Sequence, residues 1–354
     1  YLIKVKNIEE NRNLDTTYRI SKNNLYVICR QYSSMLSSGI NSVKCLEILY
    51  NQTENKKIKE VLSEVYEQLQ TGKNLSEAMQ SLGGVFPEFM INMIKAGEMS
   101  GNLAEAIKRL AIQYEKDIKI RNKIASAMVY PVFLLIATIA SILVMFGFVL
   151  PKIMEVIGSP DDLNIFSKFL FSFSTFLREN WLVTIMVLLI FLIMFLFYSK
   201  TEDFKYKFAK MKVKMPLIGK LYITMITGIF TRTLSTLFLS GTTLITSIEM
   251  AGDVINNKYI SKILKEVIDD IEKGMTFSDS LIKSGIFPNN ITSMISVGEE
   301  TGSLDDILMQ TSDYYDMIAE DSIQKMTSII EPIMIIIFGI IVLIILAGAF
   351  LPIY

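Results

Sequence analysis

The chain has 354 residues, 51% of them hydrophobic, with 35 Lys and Arg almost cancelling 36 Asp and Glu and with no histidine at all. The cancelled charge gives no electrostatic basis for nucleic-acid binding, and the missing imidazole removes the commonest general base and the commonest metal ligand together. A positive mean hydropathy beside 20% charged residues is the mixture of a membrane protein with polar parts. In chain order, residues 1–23 are polar and charged, and no secretory signal is expected there. Residues 24–123 read as a bundle of amphipathic helices. The first covers about 24–38, with Leu25, Ile28, Cys29, Tyr32, Met35 and Leu36 at helical spacing, and stops at Gly39. A second covers about 42–50. A third, about 56–71, places Ile58, Val61, Leu62, Val65 and Leu69 on one face and stops at Gly72. Asn74-Leu75-Ser76-Glu77 is a capping box, Pro87 sits where a first turn tolerates proline, and Asn102 with Glu105 opens the helix that leads onward. Cys29 and Cys45 have the spacing of neither a zinc site nor a redox pair and read as packed, reduced thiols.

Three almost uncharged stretches follow the pattern of transmembrane helices, which need about 20 apolar residues. They are 124–150, 180–199 with Trp181 and Tyr198 at its ends, and 331–354, whose one charge is Glu331 at its first position. Lys116, Lys119, Arg121 and Lys123 precede the first stretch, and Lys200, Lys205, Lys207, Lys210, Lys212, Lys214 and Lys220 follow the second. The segment 151–179 between them offers only Lys152, Lys168 and Arg178 against Glu155, Asp161, Asp162 and Glu179. Under the positive-inside rule, both polar blocks, 24–123 and 200–330, are expected in the cytoplasm, with 151–179 and the C-terminus outside. The fold expected is all-α: an integral membrane protein with two homologous cytoplasmic six-helix bundles and three transmembrane helices.

The homology is internal. The segment from Phe86-Pro87 through Ala96-Gly97-Glu98-Met99-Ser100-Gly101-Asn102-Leu103 returns 201 positions later as Phe287-Pro288 through Val297-Gly298-Glu299-Glu300-Thr301-Gly302-Ser303-Leu304. The same offset pairs Tyr114 with Tyr315 and Pro131 with Pro332. Upstream the offset becomes 202, pairing Arg30 with Arg232 and Ser38-Gly39 with Ser240-Gly241, so one residue was gained or lost near Gly83-Gly84. A period this long means two whole modules rather than a solenoid. Within the repeated turn, Gly97, Gly101, Gly298 and Gly302 read as left-handed or close-packed positions. Glu98 and Glu299 read as carboxylates at a helix junction or, alternatively, as partner contacts. Arg30 and Arg232 read as bundle salt bridges. Glu331, directly before Pro332 where the third span begins, stands where the first repeat has neutral Tyr130, and a carboxylate at a membrane entry points to a neighbouring chain or a hydrated boundary.

The doubled Phe-Pro…Gly-Glu-x-x-Gly-x-Leu…Tyr pattern, the Arg…Ser-Gly helix that opens each repeat, and Glu331-Pro332 resemble the polytopic inner-membrane platform proteins of type IV pilus and type II secretion machines, including competence pseudopili. The resemblance covers 24–354. It implies a non-enzymatic scaffold in the bacterial inner membrane that couples a cytoplasmic hexameric ring ATPase to insertion or removal of pilin or pseudopilin subunits. It also implies contact with other inner-membrane assembly proteins and lipid, and a homo-oligomeric state. No cofactor is expected. The residues agree that the chemistry lies elsewhere: no Walker, GxGxxG, GxSxG or histidine metal motif is present. The alternative is an oligomeric transporter or channel built from an internal repeat, although the spans offer little polarity beyond Thr138, Ser141 and a few glycines.

Overall fold

The computed structural model describes residues 18–149, 151–152, 168, 172, 175–176, 179–199, 201–216 and 218–350, and among them every regular element is helical. The polar segment expected before residue 18, most of the segment 151–179 and residues 351–354 of the expected third span lie outside the described residues.

The first repeat folds as α1 (Lys22–Ser37), α2 (Ser42–Gln52), α3 (Lys56–Gln70), α4 (Leu75–Ser81), α5 (Glu88–Met99) and α6 (Leu103–Val144), with a π-helical turn at Met145–Val149. Short polar side chains open these helices. Asn41 Oδ1 accepts the backbone N–H of Lys44 at 2.8 Å, and Asn55 Oδ1 accepts those of Lys57 and Ile58. Each cap satisfies N–H groups that a first turn leaves without an intrahelical acceptor. The apolar stripe of α3 (Ile58, Val61, Leu62, Val65, Leu69) is buried as its spacing dictates. It meets a core that includes Leu25, Leu46, Leu49, Leu75, Met90, Met93, Ile94 and Ile107. Burial of each such side chain contributes roughly 1.5–3 kcal/mol before entropy is counted.

After α7 (Trp181–Tyr198) and α8 (Glu202–Lys214), the second repeat folds as α9 (Ile218–Phe238), α10 (Leu244–Ile255), α11 (Lys258–Glu272), α12 (Phe277–Ser284), α13 (Asn289–Thr301) and α14 (Leu304–Phe350). The change of offset between the repeats has a visible site. The first repeat turns through two left-handed glycines, Gly83 (φ 51°) and Gly84 (φ 88°), where the second uses only Gly285 (φ 63°).

By contacts the chain forms two compact units. One holds the first repeat through Ile120 together with Ile226–Asn256 and Ile260–Tyr315. Most of the polar helices of both repeats, expected from the sequence as two bundles, thus share one unit, whereas α8 and the start of α9 fall in the other. Leu237 of α9 belongs to the same buried cluster as the first-repeat core, and Met250 and Val254 of α10 pack against it. Phe230 and Phe287 stack within the second repeat at 4.7 Å.

The other unit comprises Arg121–Met225, Asn257–Tyr259 and Asp316–Tyr354, and so holds α7, α8 and the later parts of α6 and α14. Lys123 pairs with Glu320 there. Asn257 Nδ2 donates to the Tyr222 hydroxyl at 2.9 Å.

Helices α6 and α14 are continuous over 42 and 47 residues, with Pro131 and Pro332 inside them. At 1.5 Å per residue either one exceeds a hydrocarbon layer of about 30 Å. Their most apolar stretches are only 6% and 0% buried by protein, with Phe133 and Ile336 66% and 60% exposed. α9 also passes a length-and-hydropathy test for a span, yet 67% of its window is buried within the protein. It is a core helix. α7 contains no charged residue and exposes apolar side chains along its length.

Candidate functional site: the paired junctions and the seam between repeats

The Gly-Glu-x-x-Gly turn is a junction of three helices, built the same way twice. α5 ends in a Schellman arrangement: Asn102 N–H donates to Gly97 O at 2.8 Å and Gly101 N–H to Glu98 O at 3.2 Å, with Gly101 at φ 70°. In the second repeat Ser303 N–H reaches Gly298 O at 3.0 Å, with Gly302 at φ 69°. Gly97 and Gly298 serve proximity rather than backbone freedom. A Cβ on Gly97 would stand 2.6 Å from Ala106 Cβ, and one on Gly298 would stand 3.1 Å from Leu304 Cα. The helix after the turn can fold back along the helix before it only because no side chain intervenes.

The two glutamates close the junction. Glu98 Oε1 accepts the N–H of Leu75 at 2.6 Å, and Oε2 accepts from Ser76 N–H at 3.4 Å and Ser76 Oγ at 2.5 Å. Glu299 accepts the N–H groups of Phe277 and Ser278 at 2.7 and 2.8 Å. Each carboxylate thus caps the start of a helix more than 20 residues before it, where free N–H groups and the helix dipole both favour negative charge. The local caps supplement this: Asn74 N–H donates to Glu77, and Thr276 Oγ1 accepts from Asp279 N–H at 3.2 Å.

The two arginines part ways. Arg232 is buried. Its Nε donates to Gln113 Oε1 at 2.7 Å, and its Nη2 to Asp117 Oδ1 at 2.8 Å, where both ionic side chains are under 10% exposed. Lys22 takes the other oxygen of Asp117. Asp117 therefore ties α1 and α6 of the first repeat to α9 of the second, and Lys116 with Asp313 adds a link at 2.6 Å between α6 and α14. Arg30 is exposed and makes no ion pair among the described residues, which corrects the salt bridge expected for it. The second repeat has Tyr314 and Ile318 at the positions matching Gln113 and Asp117, and so has no carboxylate at either. Glu331 is exposed on α14, and Pro332 lies inside that helix.

Sequence reasoning did not single out Asp117, Gln113 or Lys22. Their importance depends on partners 95 to 119 residues away, for which single-chain periodicity has no signal. Beside this seam lies a cleft of about 300 Å³ lined by Arg109, Gln113, Lys116, Arg232, Ser312 and Asp313. Its cations are matched within the protein, Arg109 by Glu105, Lys116 by Asp313 and Arg232 by Asp117. The arrangement joins helices. It assembles no nucleophile with a base.

These features define a duplicated helical protein in which most polar helices of both repeats share one unit and the two longest helices run on into sequence apolar enough to cross a membrane. The chain belongs to the type II secretion system protein F family, whose domain matches twice, over residues 28–151 and 230–352. It is 30% identical over 332 residues to the type IV pilus assembly protein PilC of Thermus thermophilus, covering 93% of this chain and 82% of that protein. It is 25% identical to PilC of Pseudomonas aeruginosa (95% and 90% covered) and 28% identical to the type II secretion system protein F of Vibrio cholerae (94% and 82% covered). These relatives are named for assembly and secretion, not for catalysis.

Proposed function

We propose that this chain is the inner-membrane platform of a type IV pilus, pseudopilus or type II secretion machine, coupling a cytoplasmic hexameric ring ATPase to the insertion or removal of pilin-like subunits. The observation that carries the reading is the doubled family domain in which α6 and α14 each continue without a break from charged into apolar sequence. A rigid helix of this kind can pass a displacement from a polar helical unit to a membrane segment, and no such transfer needs catalysis by the platform itself. Both polar blocks then face the cytoplasm, and the C-terminus faces outward. Crosslinking in native membranes, followed by identification of the captured proteins, tests the proposal. Recovery of a ring ATPase and a pilin-like protein is the expected result. Solute flux through vesicles containing only this chain would overturn it in favour of a transporter.

The platform acts as a homo-oligomer in this reading, and exposed Glu331 is a candidate contact between copies. Glu331→Gln keeps the shape and removes the charge, so detergent-extracted oligomers should dissociate and assembly should be lost. Intact oligomers with full activity would make Glu331 a hydrated boundary residue.

A further inference from the structure

Helix α8, which begins four positions after the end of α7, runs at about 90° to it. With α7 along the bilayer normal, α8 lies in the plane of the membrane surface. Its two long faces differ sharply. At about 3.6 residues per turn, Phe204, Phe208, Met211 and the cap residue Met215 fall in one stripe, and the last three are 41%, 50% and 43% exposed. Exposed Lys205 and Lys212 border the stripe on one margin, and exposed Lys207 and Lys214 border it on the other.

The opposite face is taken up by protein. Ala209 is buried and its carbonyl accepts from Asn257, the Tyr206 ring meets Tyr259 edge-on at 5.7 Å, and Lys210 lies over the same Tyr259 ring at 5.8 Å. The outward stripe is therefore no accident of a loosely held helix. It is also continuous with the apolar surface of α7, since the Phe204 ring packs against Phe195 at 5.8 Å and Tyr198 at 5.1 Å. The acidic residues of α8, Glu202 and Asp203, are confined to its first turn. Glu202 is held below the usual carboxylate range by Lys205 and Lys258.

We propose that α8 is an interfacial helix that binds anionic lipid: its Phe/Met stripe enters the boundary between headgroups and acyl chains, and Lys205, Lys207, Lys212 and Lys214 meet lipid phosphates. An apolar stripe with lysines on both margins is what this environment selects, because long lysine stems lie along the apolar surface while the ammonium groups reach outward to the phosphates. A lipid surface also accounts for a convex, single-helix face better than a protein groove does. The stripe starts where a membrane-crossing helix ends. The proposal rests on α7 crossing the bilayer and not on the platform reading.

The test uses the full chain reconstituted in vesicles of phosphatidylcholine and phosphatidylglycerol. The chain has a single tryptophan, Trp181, at the start of α7. Quenching of Trp181 by brominated lipids in the unaltered chain reports insertion of α7 independently. In a Trp181→Phe background, Met211→Trp and, separately, Phe208→Trp place the reporter on the stripe. The expected result is blue-shifted emission, quenched more by lipids brominated near the headgroup than by deeply brominated ones and protected from aqueous iodide. Quenching should weaken when Lys205, Lys207, Lys212 and Lys214 are all replaced by Gln, and also in pure phosphatidylcholine. With Trp181 inserted, reporters open to iodide and untouched by brominated lipid would overturn the proposal. Reporters shielded from both quenchers would overturn it too, because a second copy would then be covering the stripe.

Discussion

Glu98 and Glu299 show how a motif residue can be fully employed within its own chain. Two oxygens meet the N–H groups that open α4 or α12, and charge-assisted hydrogen bonds of this kind are about twice as strong as neutral ones. Glu98→Gln replaces one acceptor with an amine pointed at N–H donors, so the expected loss is about 1.5–3 kcal/mol, read as an earlier denaturation midpoint of the detergent-solubilised chain. Unchanged melting with failed fibre assembly or secretion would instead make the glutamates partner contacts. The sequence carried the junction reading as far as chemistry allows. It presented glycines and a carboxylate repeating in step, but it could not say which helix the carboxylate would cap, since Leu75 lies 23 residues back. Divergence between the repeats also shows at single residues. Tyr315 donates to Asn290 at 2.5 Å, whereas the hydroxyl of its counterpart Tyr114 has no hydrogen-bond partner among the described residues. The position matching Asn290 is Phe89, and the acceptor went with it.

At the scale of elements, periodicity and caps located α1 to α6 well, because an apolar face every three or four residues is a local property. α9 is different. Its hydropathy resembles that of a span, and only the tertiary structure reveals that its apolar side chains face protein instead of lipid. Inside that core helix, two threonine hydroxyls are satisfied locally: Thr231 donates to Thr227 O and Thr236 to Arg232 O. Arg232 cannot do so and depends on α6. Asp117→Asn would leave the buried guanidinium without its carboxylate, an arrangement that costs roughly 3–5 kcal/mol when one member of a buried pair is removed. The double replacement Asp117→Leu with Arg232→Met removes both charges and should recover much of that loss. Denaturant titration of the unaltered chain, Asp117→Leu, Arg232→Met and the double variant measures the coupling in a cycle. Independent, additive losses would mean that the seam is held by packing around Leu237 and not by the ion pair.

For the whole molecule, hydropathy and the doubled motif pointed to a helical membrane protein with an internal repeat, and the family assignment and the described helices agree. The union of both repeats' polar helices in one unit was not legible, because amphipathic stripes show that a face is buried without showing what buries it. The cytoplasmic side proposed for this unit rests on charge. Lysines and arginines cluster before the first span and after the second, and such residues are retained in the cytoplasm during insertion. The native thiols make this easy to measure. Cys29 and Cys45 are fully buried, and burial pushes the Cys29 thiol up to about 12, so at neutral pH it is protonated and out of reach. Unaltered protein should therefore be silent to membrane-impermeant maleimides, and a single added cysteine can be read without removing the native pair. Lys273→Cys, exposed at the end of α11, should stay unlabelled in intact cells and react after permeabilisation, whereas Asp161→Cys, between the first two spans, should react from outside. Labelling of Lys273→Cys in intact cells would invert the topology. A polar unit outside the cytoplasm could not meet a cytoplasmic ATPase, and the platform proposal would fall with it.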